Sequence, residues 1–502
     1  MEGGPGAERE AQHEVEAEVE ELGDPEAGPA LPATALVAHA AAGVRQARVE
    51  PAVARTGTTR DIWRLSWPVM LSQVLVTVVQ LVDIAMVGRI GPQAQAAVGY
   101  AGQFFNLAQA ALFAIGFACV ALMARAIGAG NPARARSALA GSLVLAVLVA
   151  LAFAGGILAA PRVVLRWLSA SPDVIQLALP YLRLVMLGSL LLAVAIVLES
   201  ALRANRDTKT PMRIAVAVTA VKLGLNVLLI FGAFGFPRLE LVGAGLATVA
   251  SQAVGVALLC AVVLRQPKSS PLALRRGDLA AARALLPELA RISVPGVAER
   301  LVMNVALLSY FGVLGRYGTA AVAAYTIGVR VLAFSWIPGT AYAQAVATLI
   351  GQALGAGDRA GATRAGWRAA SLALATSVVL GLLCAFAREP LARLFTDDGP
   401  TIAALGPFML CLAIAQPFLQ VHFTLGGAHR GAGDTWTPLV AAFVGNWVFR
   451  VPLSFFAAEV ASAGLVAVWA VLILDHVARA VWLFLSFRRG RWQDGGRRRA
   501  PG

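Results

Sequence analysis

Twelve runs of about 20 apolar residues, separated by short turns rich in Gly, Pro and Arg, fill most of this chain. They fall at about 62–86, 95–123, 138–160, 175–201, 211–232 and 241–264, then at about 291–315, 319–350, 367–387, 401–428, 436–457 and 463–486. A run of this length spans the hydrocarbon core of a bilayer as a helix. Within lipid every backbone polar group must be paired inside the fold, and barrel strands would alternate in polarity rather than run continuously apolar. Composition agrees: 58% of the 502 residues are hydrophobic and 14% are charged, against about half and a quarter in soluble domains. The expected fold is an all-α integral membrane protein with twelve transmembrane helices.

The net charge of +14 does not point to nucleic acid, because the basic residues sit in short turns between apolar runs. That is the distribution that orients membrane helices. With the N-terminus inside, alternate turns and flanks carry about 26 Lys and Arg on one side and 7 on the other, which predicts both termini in the cytoplasm and a multi-pass protein of the cytoplasmic membrane. Residues 1–58 are acidic and poor in large apolar side chains, the composition of a disordered cytoplasmic tail. Their acidic start argues against a signal peptide. Residues 489–502 form a short basic tail. Cys119, Cys260, Cys384 and Cys411 all lie inside apolar runs and behave as small hydrophobes, with no spacing that suggests a disulfide or a metal site.

The two sets of six runs match each other at an offset of about 227 residues. Pro68 pairs with Pro295, "VGRIG" (87–91) with "LGRYG" (314–318), and "IGAGN" (127–131) with "LGAGD" (354–358). Pro180 pairs with Pro407, and "RANRDTKTP" (203–211) with "RGAGDTWTP" (430–438). An even number of spans returns the chain to its starting side, so the repeat is parallel: a lobe at 59–265, a polar linker with a short amphipathic helix at 266–290, and a second lobe at 291–488. Parallel repeats of this kind place a substrate site between two halves that rock against each other.

The motifs quoted above, with "LLIFG" (228–232), "GAGLATVASQ" (243–252), "AAYTIGVR" (323–330) and "GQALGAGD" (351–358), resemble the multidrug and toxic compound extrusion (MATE) family of antiporters, and within it the branch of the DNA-damage-inducible protein. The resemblance covers about residues 60–488. It implies two six-helix lobes, a V-shaped central cavity, and export of organic cations against inward H⁺ or Na⁺.

Asp83 then has two readings. It caps the turn at Gly88 and Arg89, or it faces the lobe interior, where a carboxylate costs about 2.5–3.5 kcal/mol on insertion scales and is kept for a purpose. The family places its coupling aspartate at this spacing from the helix-bending proline, here Pro68, which implies the second. On helix 5 the family offers Asn and then Asp four residues later; here those positions hold Lys222 and Asn226. A Na⁺ ion needs several oxygen ligands, so an ammonium in the same pocket favours H⁺. Lys222 either pairs with Asp83 or snorkels away from it. Thr248 matches a family hydroxyl in the same polar group, or else packs between helices.

Glu299 and Arg300 follow Pro295 on the seventh span and are candidates for the substrate cavity, Arg300 needing a partner there or across the lobes. Arg330 and Arg450 read as structural anchors, and Asp475/Arg479 and Glu199/Arg203 as self-neutralising pairs four residues apart. His422 reads as a satisfied buried histidine. Among the aromatics Phe104, Phe105, Tyr325, Phe334, Trp336 and Tyr342, which either line a cavity or pack helices, Tyr325 and Trp336 are the cavity candidates.

The expectation is thus a secondary antiporter that exports small organic cations or drugs for H⁺ by alternating access, as a monomer in the bilayer. It would need no metal, cofactor or nucleic acid; no GxxxxGK[ST] loop for ATP occurs, so an ion gradient would drive it, and no constellation of nucleophile, base and orienter points to an enzyme. The alternatives are a lipid-linked precursor flippase, favoured if Arg300, Arg330 and Lys222 line the cavity, and a membrane enzyme or scaffold, for which the repeat has no use.

Overall fold

A computed structural model of the chain describes residues 57–168 and 170–494. The acidic tail, apart from its last two residues, and the last eight residues of the basic tail lie outside the described residues. Among the described residues twelve helices are long and apolar enough to cross a membrane: α1 (Thr59–Gly88), α2 (Pro92–Gly128), α3 (Pro132–Ala159), α4 (Pro172–Ala204), α5 (Lys209–Phe231), α6 (Glu240–Leu264), α7 (Asp278–Leu314), α8 (Thr319–Gly355), α9 (Arg359–Phe386), α10 (Gly399–Gly431), α11 (Trp436–Glu459) and α12 (Leu465–Arg488). No strand occurs among the described residues. The helices extend past the apolar runs; α2 and α8, at 37 residues each, are about 55 Å long. Two short helices, Pro161–Trp167 and Arg388–Arg393, occupy turns expected to be plain loops, and they fall at matching positions of the repeat.

The repeat is legible in the helix starts. Asn131 and Asp358 occupy matching N-caps and accept the backbone N–H of Arg134 (2.9 Å) and of Gly361 (2.6 Å). In the "DTKT" and "DTWT" motifs Asp207 and Asp434 accept the backbone N–H of Thr210 and Thr437 and also their hydroxyls, at 2.6 Å in both copies. These carboxylates satisfy N–H groups that a helix end leaves unpaired. The turn ahead of each bends left-handed, at Arg206 (φ 62°) in one copy and Gly433 (φ 85°) in the other.

Four apolar clusters form the interior, two in each half of the chain. At the arginine-rich end the halves exchange their first turns. Ile62 and Leu65 of α1 are buried among Tyr342, Leu349, Ala369 and Leu425 of the second half. Their repeat partners in α7, Leu289 and Ile292, are buried among Leu139, Val197 and Leu202 of the first. Arg136–Asp278 (3.2 Å) and Arg134–Glu288 (3.4 Å) tie the start of α7 to α3. Residues 278–290 are therefore not part of a free linker with its own short helix. They are the opening turns of α7, polar because they leave the apolar zone, and held by packing on the first half.

Small residues let the two halves touch backbone to backbone at this end. A Cβ on Gly128 would collide with the carbonyl of Gln352, and one on its repeat partner Gly355 with the carbonyl of Arg125. Thr348 donates to the Arg203 carbonyl (3.2 Å), and the Gln352 amide donates to the Ala204 carbonyl (2.8 Å) while its oxygen accepts Arg206 Nε (2.5 Å). Burial holds the Arg206 guanidinium below the ordinary arginine pKa. The start of the expected basic tail also folds back: Trp492 stacks on Phe487 (4.5 Å) and Asp494 pairs with Arg359 (3.0 Å).

Candidate functional site

From Ala114 to Ala126 nearly every residue of α2 is buried, and so is nearly every residue of α8 from Ala341 to Ala353. In their other halves both helices become accessible along one stripe, Gln95, Gly99, Gln103 and Asn106 on α2 and Thr326, Arg330 and Phe334 on α8. A lipid-facing surface would be apolar, yet among the described residues α2 exposes only Phe113 and α8 only Phe334 as large apolar side chains. These stripes are therefore walls of a cleft between the halves, closed at the arginine-rich end and open at the other. Helix α7 shows the contrast on one helix: Leu301, Val305 and Leu308 make an exposed apolar face, while Arg300 and Asn304 make a separate polar one.

Asp83 lies five residues before the end of α1 at Gly88, in the half where the cleft is open. Its Oδ2 forms an ion pair with Lys222 Nζ of α5, and its Oδ1 accepts Asn226 Nδ2 at 2.6 Å. Lys222 and Asn226 are one turn apart on one face of α5, so a single helix face supplies both partners. The side chains of Lys222 and Asp83 are 17% and 26% exposed, so the pair is only partly buried by its neighbours. Asn226 is buried, and its Oδ1 has no hydrogen-bond partner. Tyr181 of α4, which sequence reasoning missed, is close enough to feel the Asp83 charge and packs on Gly245. Its only signal in the sequence is its place beside Pro180.

Other expected site residues separate from this group. The Thr248 hydroxyl donates to the Ala244 carbonyl of its own helix at 2.9 Å and makes no hydrogen bond to Asp83. Tyr325 is 1% exposed and stacks on Trp469 (5.8 Å) beside Tyr310 (5.0 Å), so it belongs to the core and not to a cavity wall. Trp336 is half-buried against Phe423 (6.1 Å), and its indole N–H has no partner. Glu299 is held by Arg430 of α10 (2.5 Å), whose guanidinium lies over the Phe117 ring of α2 (5.3 Å) at the closed end of the cleft. Pro68 is buried inside an unbroken α1, its carbonyl accepting the Ser72 hydroxyl (2.9 Å).

The second half carries a different arrangement at the matching place. Tyr310 stands where the repeat has Asp83, and Arg450 lies over its ring at 5.9 Å. Residues 444–450 form a π-helix, a device that inserts one residue into a helix. With that insertion Arg450 takes the register of Lys222. Its carboxylate comes instead from Asp475 of α12 (2.5 Å), which also accepts two bonds from Arg479 (2.6 and 2.9 Å). All three are buried. Arg450 is thus an anchor, as expected, and Asp475 serves two arginines and not Arg479 alone. His422 bonds the Phe418 carbonyl (3.2 Å), as a satisfied buried histidine should, whereas both ring nitrogens of neighbouring His476 lack partners. No group of three or more His, Cys, Asp or Glu that could hold a metal occurs among the described residues.

Comparison with known proteins fits this architecture. A family profile described as MatE matches residues 68–228 and again 295–456, which is the internal repeat met above. The chain belongs to the MATE family. Two relatives are described as probable multidrug resistance protein NorM. That of Thermotoga maritima is 29% identical over 442 residues, covering 86% of this chain and 93% of the relative. That of Bradyrhizobium diazoefficiens is 31% identical over 438 residues, covering 85% and 92%. A solved outward-facing multidrug resistance transporter of the MATE family superposes with a TM-score of 0.82 at 22% identity, covering 88% of this chain and 98% of that one. MATE proteins are multidrug efflux transporters and not enzymes, and this one is a multi-pass member with twelve spans.

Proposed function

We propose that this MATE protein is a secondary antiporter of the cytoplasmic membrane that exports amphipathic organic cations in exchange for H⁺, with Asp83 as the proton carrier. The arginine-rich end would face the cytoplasm. The observation that carries the reading is the partly buried Asp83 carboxylate, held by Lys222 and Asn226 in the half of the helices where the cleft is open. A proton reaching Asp83 from outside neutralises the carboxylate, and the attraction to Lys222 is lost. The freed ammonium then repels a cationic cargo. The protonated acid needs an acceptor for its O–H, and the unpartnered Asn226 Oδ1 can take that bond once its amide turns over. Pro68 leaves α1 one backbone hydrogen bond short, so α1 can bend as this contact changes.

An ammonium standing beside the carboxylate supports H⁺ over Na⁺, which would need oxygen ligands in that space. No cofactor is called for, since the ion gradient supplies the drive, and the repeat supplies both halves of the cleft within one copy of the chain. The accessible Arg300 and Arg330 favour the second reading, a flippase of lipid-linked precursors. Lys222, the third cation that reading needs, is already spent on Asp83.

Dye efflux from everted vesicles, with the pH and Na⁺ gradients collapsed separately, tests the proposal. Efflux that stops when the pH gradient is collapsed, and is absent in Asp83→Asn, is the expected result. Efflux that follows the Na⁺ gradient, or survives in Asp83→Asn, overturns it.

A further inference from the structure

The two walls of the cleft differ in charge although the repeat makes them equivalent. Gln73 of α1 corresponds to Arg300 of α7, and Gln103 of α2 to Arg330 of α8. One wall therefore presents neutral amides at the positions where the other presents guanidinium groups. Arg300 and Arg330 are both accessible, and neither makes a hydrogen bond or ion pair among the described residues. Glu299, beside Arg300 in sequence, is shared: it pairs with Arg430 and its charge also reaches Arg300, so one carboxylate serves two guanidinium groups. Arg300 lies 14 residues from the end of α7 at Leu314, and Arg330 lies 11 residues from the start of α8 at Thr319. At 1.5 Å per residue the two stand at about 21 and 17 Å from the open end, within one helical turn of the same depth. The three-residue turn Gly315–Tyr317 and Gly318 joins their helices directly. Each shares its stripe with a neutral polar residue one turn away, Asn304 and Thr326.

An arginine without an ion pair of its own at mid-membrane depth is costly, and two at one level on one wall more so. A guanidinium presents a planar fork of donors that matches carboxylate, sulfonate or phosphate oxygens. In the other half of the chain Asp83 sits about 8 Å from the end of α1, so the site that would meet a cationic group and the arginines that would meet an anionic one lie at different depths.

We propose that the cargo is a zwitterionic amphiphile, whose anionic group is received by Arg300 and Arg330 while its cationic group lies toward Asp83. This rests on the antiport reading above and narrows its substrate class. A simple organic cation would meet two guanidinium groups whose one nearby carboxylate, Glu299, is already paired with Arg430. A zwitterion neutralises them and still leaves its cationic group subject to displacement by the proton. A soluble carboxylate and a lipid headgroup phosphate share this chemistry.

A matched pair of probes tests the proposal: a cationic xanthene dye with a free carboxylate, and the methyl ester of the same dye, which is a cation only. Fluorescence polarisation measures their binding to the full chain in nanodiscs, and no proton gradient is involved. The acid is expected to bind about tenfold tighter than the ester. That preference should weaken in Arg300→Gln and Arg330→Gln, vanish in the double variant, and persist in Arg300→Lys and Arg330→Lys. Displacement of the acid by short-chain phosphatidylethanolamine in wild type would extend the site to headgroup phosphates; its absence would confine the site to soluble anions. An ester that binds as tightly as the acid overturns the proposal, without recourse to any variant. So does a preference that survives in the double variant. If the ester is nonetheless exported on a pH gradient and export is lost in Asp83→Asn, the antiport reading stands while this one falls.

Discussion

Lys222 and Asp83 form an ion pair between α5 and α1, while Asn226, one turn along α5, holds the other oxygen of the same carboxylate. Under the proposed antiport, an incoming proton would compete with the ammonium for this one group. Neutralising either member alone leaves the other without its partner in a partly desolvated place, which mutational series price at about 1–3 kcal/mol. Asp83→Asn and Lys222→Met should each lower the melting midpoint in nanodiscs. The double variant should be less destabilised than the sum, with an interaction of about 1–2 kcal/mol. Additive effects would mean that the pair does not form in the membrane.

Thr248 provides the opposite test. Its hydroxyl is bonded within α6 to Ala244 and not to Asp83. Thr248→Val should therefore leave proton-driven efflux within about twofold of wild type, since a single surface or intrahelical polar contact changes energies by only about 0.5 kcal/mol. A tenfold loss, measured in the same vesicles as Asp83→Asn, would restore the hydroxyl to the coupling group.

At the closed end of the cleft, Gly128 and Gly355 let α2 and α8 approach backbone to backbone. Gly355→Val should force the ends apart at a cost of about 1–3 kcal/mol to the closed arrangement. Cysteines introduced at Ala204 and Thr348 should then cross-link more slowly than in the parent protein. Unchanged cross-linking would show that this contact does not hold the end shut.

Among the described residues Asp475 is the carboxylate that pairs with both Arg450 and Arg479, all three buried. Asp475→Asn leaves two buried cations uncompensated, a change of the kind that costs about 3–5 kcal/mol. The expected outcome is a large fall in thermal stability and in folded yield, with the coupling chemistry at Asp83 unchanged in whatever protein folds. A stable, fully folded Asp475→Asn variant would contradict the anchoring role.

The span count and the repeat were readable because each rests on spacing; the grouping of Asp83 with Lys222 and Asn226 came from the family resemblance, and whether Lys222 paired with Asp83 stayed open. Which face points where was not readable. Tyr325 has the residue type of a cavity lining, yet its position on α8 turns it into the cluster around Trp469. Thr248 could be matched by motif, but a threonine in a helix often bonds its own preceding turn, and no pattern marks which ones do. The exchange of Ile62 and Leu289 between the halves is also silent in the sequence, since both read as ordinary apolar residues near a helix start. The π-helix leaves only a one-residue slip between copies, visible once α5 and α11 are laid side by side. The linker misled because its charges signalled solvent, while its apolar positions were already committed to α3.

The central claim is that proton and cargo exclude each other at Asp83. It is tested most directly by adding cargo to the purified protein in weakly buffered solution, at the pH of half-maximal transport, and following released H⁺ with an indicator dye. The account predicts proton release on cargo binding in wild type and none in Asp83→Asn with cargo still bound. Equal release from Asp83→Asn, or binding without release in wild type, would contradict it.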